Sequence, residues 1–201
     1  MTMRVAVAAS GRGSNLEALL LALGSGAPAR VVLVLSDRAA AGALALARAH
    51  GVATQVLADP ASPDEWLTAL ERGGADLVVL AGYLKLVPPR VVERYRGRIV
   101  NIHPALLPAF GGRGMYGHRV HEAVLASGAR ESGASVHLVD EVYDRGEVLA
   151  RARVPVLPGD DADRLAARVL EAEHRLLPAV VLAAARAGRP VPLPEPVESQ
   201  S

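Results

Sequence analysis

Residues 4–23 read RVAVAASGRGSNLEALLLAL. The first part, Arg4 to Ala9, is a short apolar run with the length of a buried strand. A glycine turn, Gly11 to Gly13, follows it, and a helical pattern then runs from Ser14 to about Leu23. Because a strand that turns directly into a helix is the building unit of α/β domains, this stretch predicts the first such unit.

The same alternation continues along the chain. Further strands are predicted at Val31 to Leu35, near Thr54 to Val56, at Asp76 to Leu80 and at Arg98 to His103, and helices near Gly42 to His50, from Ser62 to Gly73-Gly74, and from Pro88-Pro89 to about Tyr95. The run Asp76 to Leu80 is almost continuously apolar, as is typical of a strand buried on both faces of a parallel sheet. The sequence therefore predicts a three-layer α/β fold with helices on both faces of a mostly parallel, twisted, Rossmann-like sheet.

The last third of the chain predicts an edge hairpin and a closing helix. After a helix at about Val120 to Ser127, strands at Ala134 to Val139 and Val148 to Val154 flank the polar turn Asp140 to Gly146. A long helix from Asp161 to Ala187 follows, with Asp160 or Asp161 as its N-cap and Gly188 as its end. With 201 residues, one domain over 1–188 is favoured over two small ones, with a loosely held tail at 189–201.

Composition excludes several classes of protein. The 22 basic and 21 acidic residues nearly balance, so no nonspecific contact with nucleic acid or an anionic membrane is expected. The absence of cysteine excludes disulfides, thiolate metal ligands and a cysteine nucleophile. The apolar run at the start is too short for a signal peptide or a spanning helix, so a cytoplasmic protein is expected.

The glycine turn is a candidate phosphate site. Backbone N–H groups at a helix start are unpaired, the helix dipole adds partial positive charge, and glycine allows an anion to approach closely. The alternative is a tight turn in which Ser14 or Asn15 serves only as an N-cap. A dinucleotide fingerprint lacks its third glycine and a P-loop lacks its lysine, so a monophosphate fits best.

The segment Asn101-Ile102-His103-Pro104 is the second candidate site. Alternate residues of a strand point the same way, so the Asn101 amide and the His103 imidazole project together at the carboxyl end of a strand. Ligands of open α/β sheets bind at that edge. The alternative is that both residues are structural. The long loop that follows, from Pro104 to Gly117, favours a functional site.

Other polar residues give weaker signals. Asp140, Glu141 and Asp144 lie in a turn, where aspartate is frequent for structural reasons, and they gain meaning only if the turn folds back onto His103. The remaining histidines, including His118, His121 and His137, lack a compact spacing of metal ligands. No metal site is therefore predicted.

Several motifs occur in one order along the chain. They are GRGSNL at 11–16, AGYLKL at 81–86, NIHPALLP at 101–108, and SVH at 135–137 followed by DRG at 144–146. In this order they resemble the phosphoribosylglycinamide formyltransferases, from Met1 to about Pro178. The NIHPALLP segment is shared across folate formyltransferases and hydrolases, whereas GSNL narrows the resemblance to enzymes that act on glycinamide ribonucleotide.

The resemblance implies a formyltransferase fold and two small-molecule substrates, glycinamide ribonucleotide and the co-substrate 10-formyltetrahydrofolate, in purine biosynthesis. It implies that Asn101, His103 and Asp144 are catalytic. It further implies ligand contacts, those to the ribonucleotide from Gly13, Ser14, Asn15 and Glu173, and those to the folate from Tyr83, Leu84, Lys85, Leu86, Val87, Asp140 and Glu141. It leaves a homodimer open.

Three departures from the family pattern matter, and one of them is that Arg145 stands where a second glycine is frequent and Ala105 replaces a frequent serine. The segment Ser62 to Trp66 lacks the arginine that often contacts the folate tail, and the loop Phe110 to His118 is long for the family. A hydrolase of formyltetrahydrofolate or a methionyl-tRNA formyltransferase shares the catalytic segment but would be expected to carry a further domain. A nonenzymatic nucleotide-binding module, in which Asn101 and His103 are structural, is the alternative from another class.

For the enzyme, direct attack of the substrate amine on the formyl carbon is expected, through a tetrahedral intermediate stabilised by Asn101 and protonated His103. In this hypothesis Asp144 raises the pKa of His103 and so favours the imidazolium form.

Overall fold

Apolar strands alternate with helices in the computed structural model, which describes residues 2–194. The strands are β1 (Met3–Ala8), β2 (Ala29–Ser36), β3 (Ala53–Val56), β4 (Leu77–Leu80), β5 (Ile99–His103), β6 (Glu131–Leu138) and β7 (Val148–Pro155). The helices are α1 (Ser14–Ala22), α2 (Gly42–Ala49), α3 (Pro63–Gly73), α4 (Pro89–Arg94), α5 (His118–Ala126) and α6 (Ala162–Ala187).

The seven strands form one sheet in the order β3-β2-β1-β4-β5-β6-β7. The first five strands of that order are parallel, β6 is antiparallel to β5, and β7 is antiparallel to β6. The predicted mostly parallel sheet and its edge hairpin are both confirmed. Because the chain leaves β1 and β4 toward opposite edges of the sheet, a crevice opens where these two strands end.

Two apolar clusters cover the two faces of the sheet. In β1, Val5 and Val7 join one cluster and Ala6 and Ala8 join the other, as alternation along a strand requires. The first cluster includes residues of α1, α2, α5 and α6, and the second includes residues of α3 and α4 around the fully buried Trp66. The predicted three-layer architecture is therefore confirmed.

Boundaries differ from the prediction mainly at β6, which begins at Glu131 and not at Ala134. Its first residues are polar or small and carry no apolar signal, but they pair with the end of β7. Asp161 is the N-cap of α6, and its Oδ1 accepts a 2.8 Å hydrogen bond from the Arg164 N–H. Gly188 ends that helix in the left-handed conformation, as predicted.

Part of the predicted tail, 195–201, lies outside the described residues. Within residues 2–194, no helix is long and apolar enough to cross a membrane.

Candidate active site

A cavity of about 730 Å³ opens where β4 and β5 end. It is bordered by the first turn of α1, the middle of α6, the segments that follow β4 and β5, and the turn between β6 and β7. The two crossovers that diverge from β1 and β4 place this cavity at the switch point of the sheet, where open α/β sheets bind their ligands.

The glycine turn before α1 has the geometry of an uncapped helix start. Gly13 is the N-cap with a φ of 92°, and no side chain caps the first turn. A Cβ at this position would lie 2.8 Å from Ala43 Cα, so close packing against α2 excludes any larger residue. The predicted alternative, in which Ser14 or Asn15 is the N-cap, is wrong. The backbone N–H groups of the first turn remain available to an anion.

The side chain of Asn15 does not cap α1. Its Nδ2 donates a 2.7 Å hydrogen bond to Glu173 Oε2 on α6, and both residues line the cavity. Burial raises the pKa of Glu173 to about 7, while the Asn15 hydrogen bond acts in the opposite direction. Arg12, within the glycine turn, also lines the cavity, but Gly13 and Ser14 do not.

Asn101 and His103 project from the same side of β5 into the cavity, as their spacing predicted. Asn101 Nδ2 lies 3.0 Å from His137 Nε2 and 3.5 Å from Asp144 Oδ1. His103 Nε2 lies 2.8 Å from the carbonyl oxygen of Phe110, and its Nδ1 lies 3.6 Å from Asp144 Oδ2. The three residues predicted as catalytic therefore converge in the folded chain.

Asp144 is the centre of this group. Its Oδ1 lies 3.3 Å from His137 Nε2, and its Oδ2 accepts a 2.9 Å hydrogen bond from the Gly112 N–H. Burial alone would raise the pKa of Asp144, but the hydrogen bond with His137, the charge of His103 and the Gly112 N–H lower it below its ordinary value. Asp144 is therefore a carboxylate at neutral pH.

The pKa of His103 departs from the expectation of a raised value. Burial lowers it, and this effect outweighs the nearby Asp144 carboxylate and the Phe110 carbonyl, both of which raise it. The net pKa lies below the ordinary value, so the predicted net increase is wrong although the contribution of Asp144 has the predicted sign. Both ring nitrogens face acceptors, which is the arrangement that an imidazolium ion requires.

His137 is the member of this cluster that the sequence prediction left without a role. It is opposite Asn101 in the β5–β6 register, and its Nδ1 lies 2.7 Å from the Leu138 carbonyl oxygen. The Leu138 carbonyl holds the ring so that Nε2 faces both Asn101 Nδ2, at 3.0 Å, and Asp144 Oδ1, at 3.3 Å. The only signal in the sequence was its place in the motif at 135–137.

The segment after β4 forms an apolar side of the cavity. All five residues predicted there to contact folate line it, namely Tyr83, Leu84, Lys85, Leu86 and Val87. The Tyr83 ring packs edge to face on Trp66 with a centroid distance of 5.3 Å, and the Leu84 N–H donates to Ser10 Oγ. The segment is thereby fixed to the residues that follow β1 and to the apolar cluster around Trp66.

Only some residues of the turn between β6 and β7 line the cavity. Asp140 and Asp144 line the cavity, and Asp140 Oδ1 accepts a 2.8 Å hydrogen bond from the Val142 N–H. Glu141 does not line it, because its carboxylate pairs with Arg96 on the outside of the turn. The segment 62–66 also lies outside the cavity, since it begins α3 and buries Trp66.

Two further groups line the cavity without having been predicted as site residues. The loop after β5 contributes the stretch from Gly112 to Gly117, and α5 adds His118 and His121. Burial, together with His118 and His103, lowers the pKa of His121 to about 4, so this imidazole is uncharged at neutral pH. Within the described part of the chain, no three His, Asp or Glu side chains are arranged to hold a metal ion.

Comparison with known proteins identifies the family of this chain. The family described as Formyl transferase matches residues 3–181. A phosphoribosylglycinamide formyltransferase of Mycobacterium tuberculosis (strain H37Rv) is 46% identical over 190 residues, which cover 92% of this chain and 86% of the relative. The chain belongs to the phosphoribosylglycinamide formyltransferase family.

Two other relatives agree with that assignment. The chloroplastic phosphoribosylglycinamide formyltransferase of Arabidopsis thaliana is 44% identical over 186 residues, which are 89% of this chain and 64% of the plant protein. This chain therefore spans just under two thirds of the length of that relative. The crystal structure of the phosphoribosylglycinamide formyltransferase from Brucella melitensis is 47% identical, with a TM-score of 0.83 over 92% of this chain and 96% of that one.

Proposed function

We propose that this chain transfers the formyl group of 10-formyltetrahydrofolate to the amine of glycinamide ribonucleotide, a step of de novo purine biosynthesis. The observation that carries the proposal is that Asn101, His103 and Asp144 converge in one cavity. His103 Nδ1 lies 3.6 Å from Asp144 Oδ2. An anion site at α1 lies on one side of this group and an apolar segment on the other, so two different substrates can meet there.

Each substrate has a complementary part of the cavity. The phosphate of the ribonucleotide binds the free N–H groups of Gly13, Ser14 and Asn15 at the start of α1. Glu173, which lines the cavity, accepts hydrogen bonds from the ribose hydroxyls. The pterin lies against 83–87 and the turn that contains Asp140, where main-chain groups supply the polar contacts. Glu141 supports this turn through Arg96.

The chemistry needs no covalent enzyme intermediate. The substrate amine attacks the formyl carbon, and negative charge develops on the formyl oxygen of the tetrahedral intermediate. The Asn101 amide and the His103 imidazolium stabilise that oxygen. The bond from carbon to N10 then breaks, and the proton lost by the attacking amine is balanced by protonation of N10. Asp144 favours the imidazolium form of His103.

The test is to mix the purified chain with both substrates and follow the deformylated folate by absorbance. Transfer requires the ribonucleotide, so the signal should vanish when that substrate is omitted. A signal that persists would indicate the hydrolase alternative, and binding of both compounds without any signal would indicate a nonenzymatic module. His103→Ala should abolish the signal, whereas His50→Ala, on the exposed end of α2, should leave it unchanged.

A cytoplasmic location and a homodimer both stay predictions.

A further inference from the structure

Three residues lie side by side across the antiparallel part of the sheet. His103 on β5 pairs with Ser135 on β6, and Ser135 pairs with Arg151 on β7. Residues that are directly opposite in adjacent strands point to the same face. The row therefore aligns a residue of the candidate catalytic group with two side chains that the proposed chemistry does not use.

The loop that follows β5 crosses this row. Ser135 Oγ accepts a 3.0 Å hydrogen bond from the Leu107 N–H and donates a 2.7 Å hydrogen bond to the Ala105 carbonyl. Arg151 Nε and Nη2 donate to the Leu107 carbonyl at 3.1 and 2.9 Å. The N–H and the C=O of Leu107 are thus both bound by side chains of the sheet.

Leu107 is in turn connected to the catalytic group. Its side chain packs so closely on Gly111 that a Cβ there would lie 2.6 Å from Leu107 Cδ2. The residues on either side of Gly111 contact the catalytic group. The Phe110 carbonyl faces His103 Nε2, and the Gly112 N–H donates a hydrogen bond to Asp144 Oδ2. Phe110 has a φ of 55°, a conformation that a non-glycine residue keeps only when its surroundings impose it.

We propose that Arg151 is a positioning residue, whose guanidinium group acts through Leu107 to place the Phe110 carbonyl and the Gly112 N–H. Those two groups set the orientation of His103 and Asp144. An arginine suits this task because its planar group presents two donors in fixed geometry to one carbonyl oxygen. The consequence for catalysis rests on the proposed function, but the consequence for the His103 ring does not.

The test compares Arg151→Met, which keeps an apolar stem and removes all donors, with Arg151→Lys and with the control Arg153→Met. Arg153 lies two residues further along β7, is exposed, and pairs with Glu131 at 2.9 Å. In Arg151→Met, we expect kcat to fall about tenfold or more, since small misplacements of reacting groups are costly. The KM values for both substrates should change much less. Arg151→Lys should recover part of the loss, and the control should match wild type.

The second measurement is the ¹⁵N NMR signal of the His103 ring as a function of pH, in the absence of substrate. The Phe110 carbonyl raises the pKa of His103, so losing that contact should move its titration to lower pH. Asp144, His137 and His121 also act electrostatically on this imidazole and are unchanged in the variants. The control should leave the titration where it is in wild type.

An unchanged His103 titration in Arg151→Met, or an equal change in the control, would overturn the inference. If Arg151→Met does not fold, Arg151→Lys decides, because a single ammonium group cannot reproduce the paired donors and the titration must still move to lower pH. A wild-type chain that transfers no formyl group would contradict the proposed function. The NMR result would still decide this inference, since it needs no substrate.

Discussion

The Asn15 amide donates a hydrogen bond of 2.7 Å to Glu173, and so joins the first turn of α1 to the middle of α6. The two residues are 158 positions apart in the sequence. In the proposed function Asn15 contacts the phosphate and Glu173 the ribose of the same substrate. This hydrogen bond occupies the Asn15 amide nitrogen, so the proposed phosphate contacts are assigned to the backbone N–H groups and to Ser14.

Ser14→Ala and Asn15→Ala should each weaken binding of the ribonucleotide by about tenfold, because charge-assisted hydrogen bonds are lost or misplaced. Binding of the folate should change little. Calorimetric titration of each substrate measures both effects. Ser62→Ala is a matched control, since Ser62 caps α3 outside the cavity. Equal losses for the two substrates would contradict this placement.

Glu173→Gln should make stability less sensitive to pH. The pKa of Glu173 is raised to about 7 in the folded chain, so the folded state holds this proton above pH 4.5, where the unfolded chain releases it. Stability from this group is therefore greatest at low pH and is lost as pH rises toward about 7, by roughly 1–3 kcal/mol. Urea unfolding at pH 5 and pH 8 measures the difference, which should be smaller in the variant.

Glu173→Gln should also weaken ribonucleotide binding, because an amide accepts fewer hydrogen bonds than a carboxylate. In wild type, affinity should increase as pH rises through about 7 and the carboxylate forms. Wild-type affinity that does not vary with pH in this range would count against contact between Glu173 and the ribose.

Asn101→Ala should lower the rate of formyl transfer by about 100-fold or more, the scale for losing one donor to an oxyanion. The amide also contacts His137 and Asp144, so the fold of the variant must be checked by circular dichroism before kinetics. Steady-state kinetics then give the rate. A variant with activity near wild type would remove Asn101 from the mechanism.

Asp144→Asn should shift the pH dependence of the reaction. The carboxylate raises the pKa of His103 against the effect of burial, so its removal lowers that pKa further. The imidazolium form exists below the pKa, and the alkaline limb of the rate profile should therefore move to lower pH, with a smaller maximum rate. The acidic limb, set by the substrate amine, should move little.

A pH–rate profile measured on wild type and Asp144→Asn separates two roles for this residue. A lower rate with an unshifted alkaline limb would mean that Asp144 acts through loop geometry, for example through the Gly112 N–H, and not through its charge on His103.

Much of the fold was predictable because its signals are local. Alternation along β1 assigns Val5 and Val7 to one face and Ala6 and Ala8 to the other without any knowledge of their partners. The start of β6 was missed for the same reason, since Glu131 to Gly133 have no apolar pattern and form a strand only through their pairing with β7.

The site was predictable only in part. Asn101 and His103 followed from their spacing on one strand, and the cavity-lining segment 83–87 followed from the resemblance to a family. Glu141 was also predicted from that resemblance, but it lies outside the cavity and pairs with Arg96. His137 joins Asn101 only through the register of β5 and β6, which the sequence does not state.

By itself, the sequence determined which residue types lie at the ends of which strands, because the two-residue period of a strand and the 3.6-residue period of a helix are local properties. Only the tertiary structure decided which of those residues meet, as in the Asn15–Glu173 and Asn101–His137 pairs. It also decided the direction of the His103 pKa, since burial and an adjacent carboxylate act in opposite directions, and their balance depends on how deeply the folded chain encloses the ring.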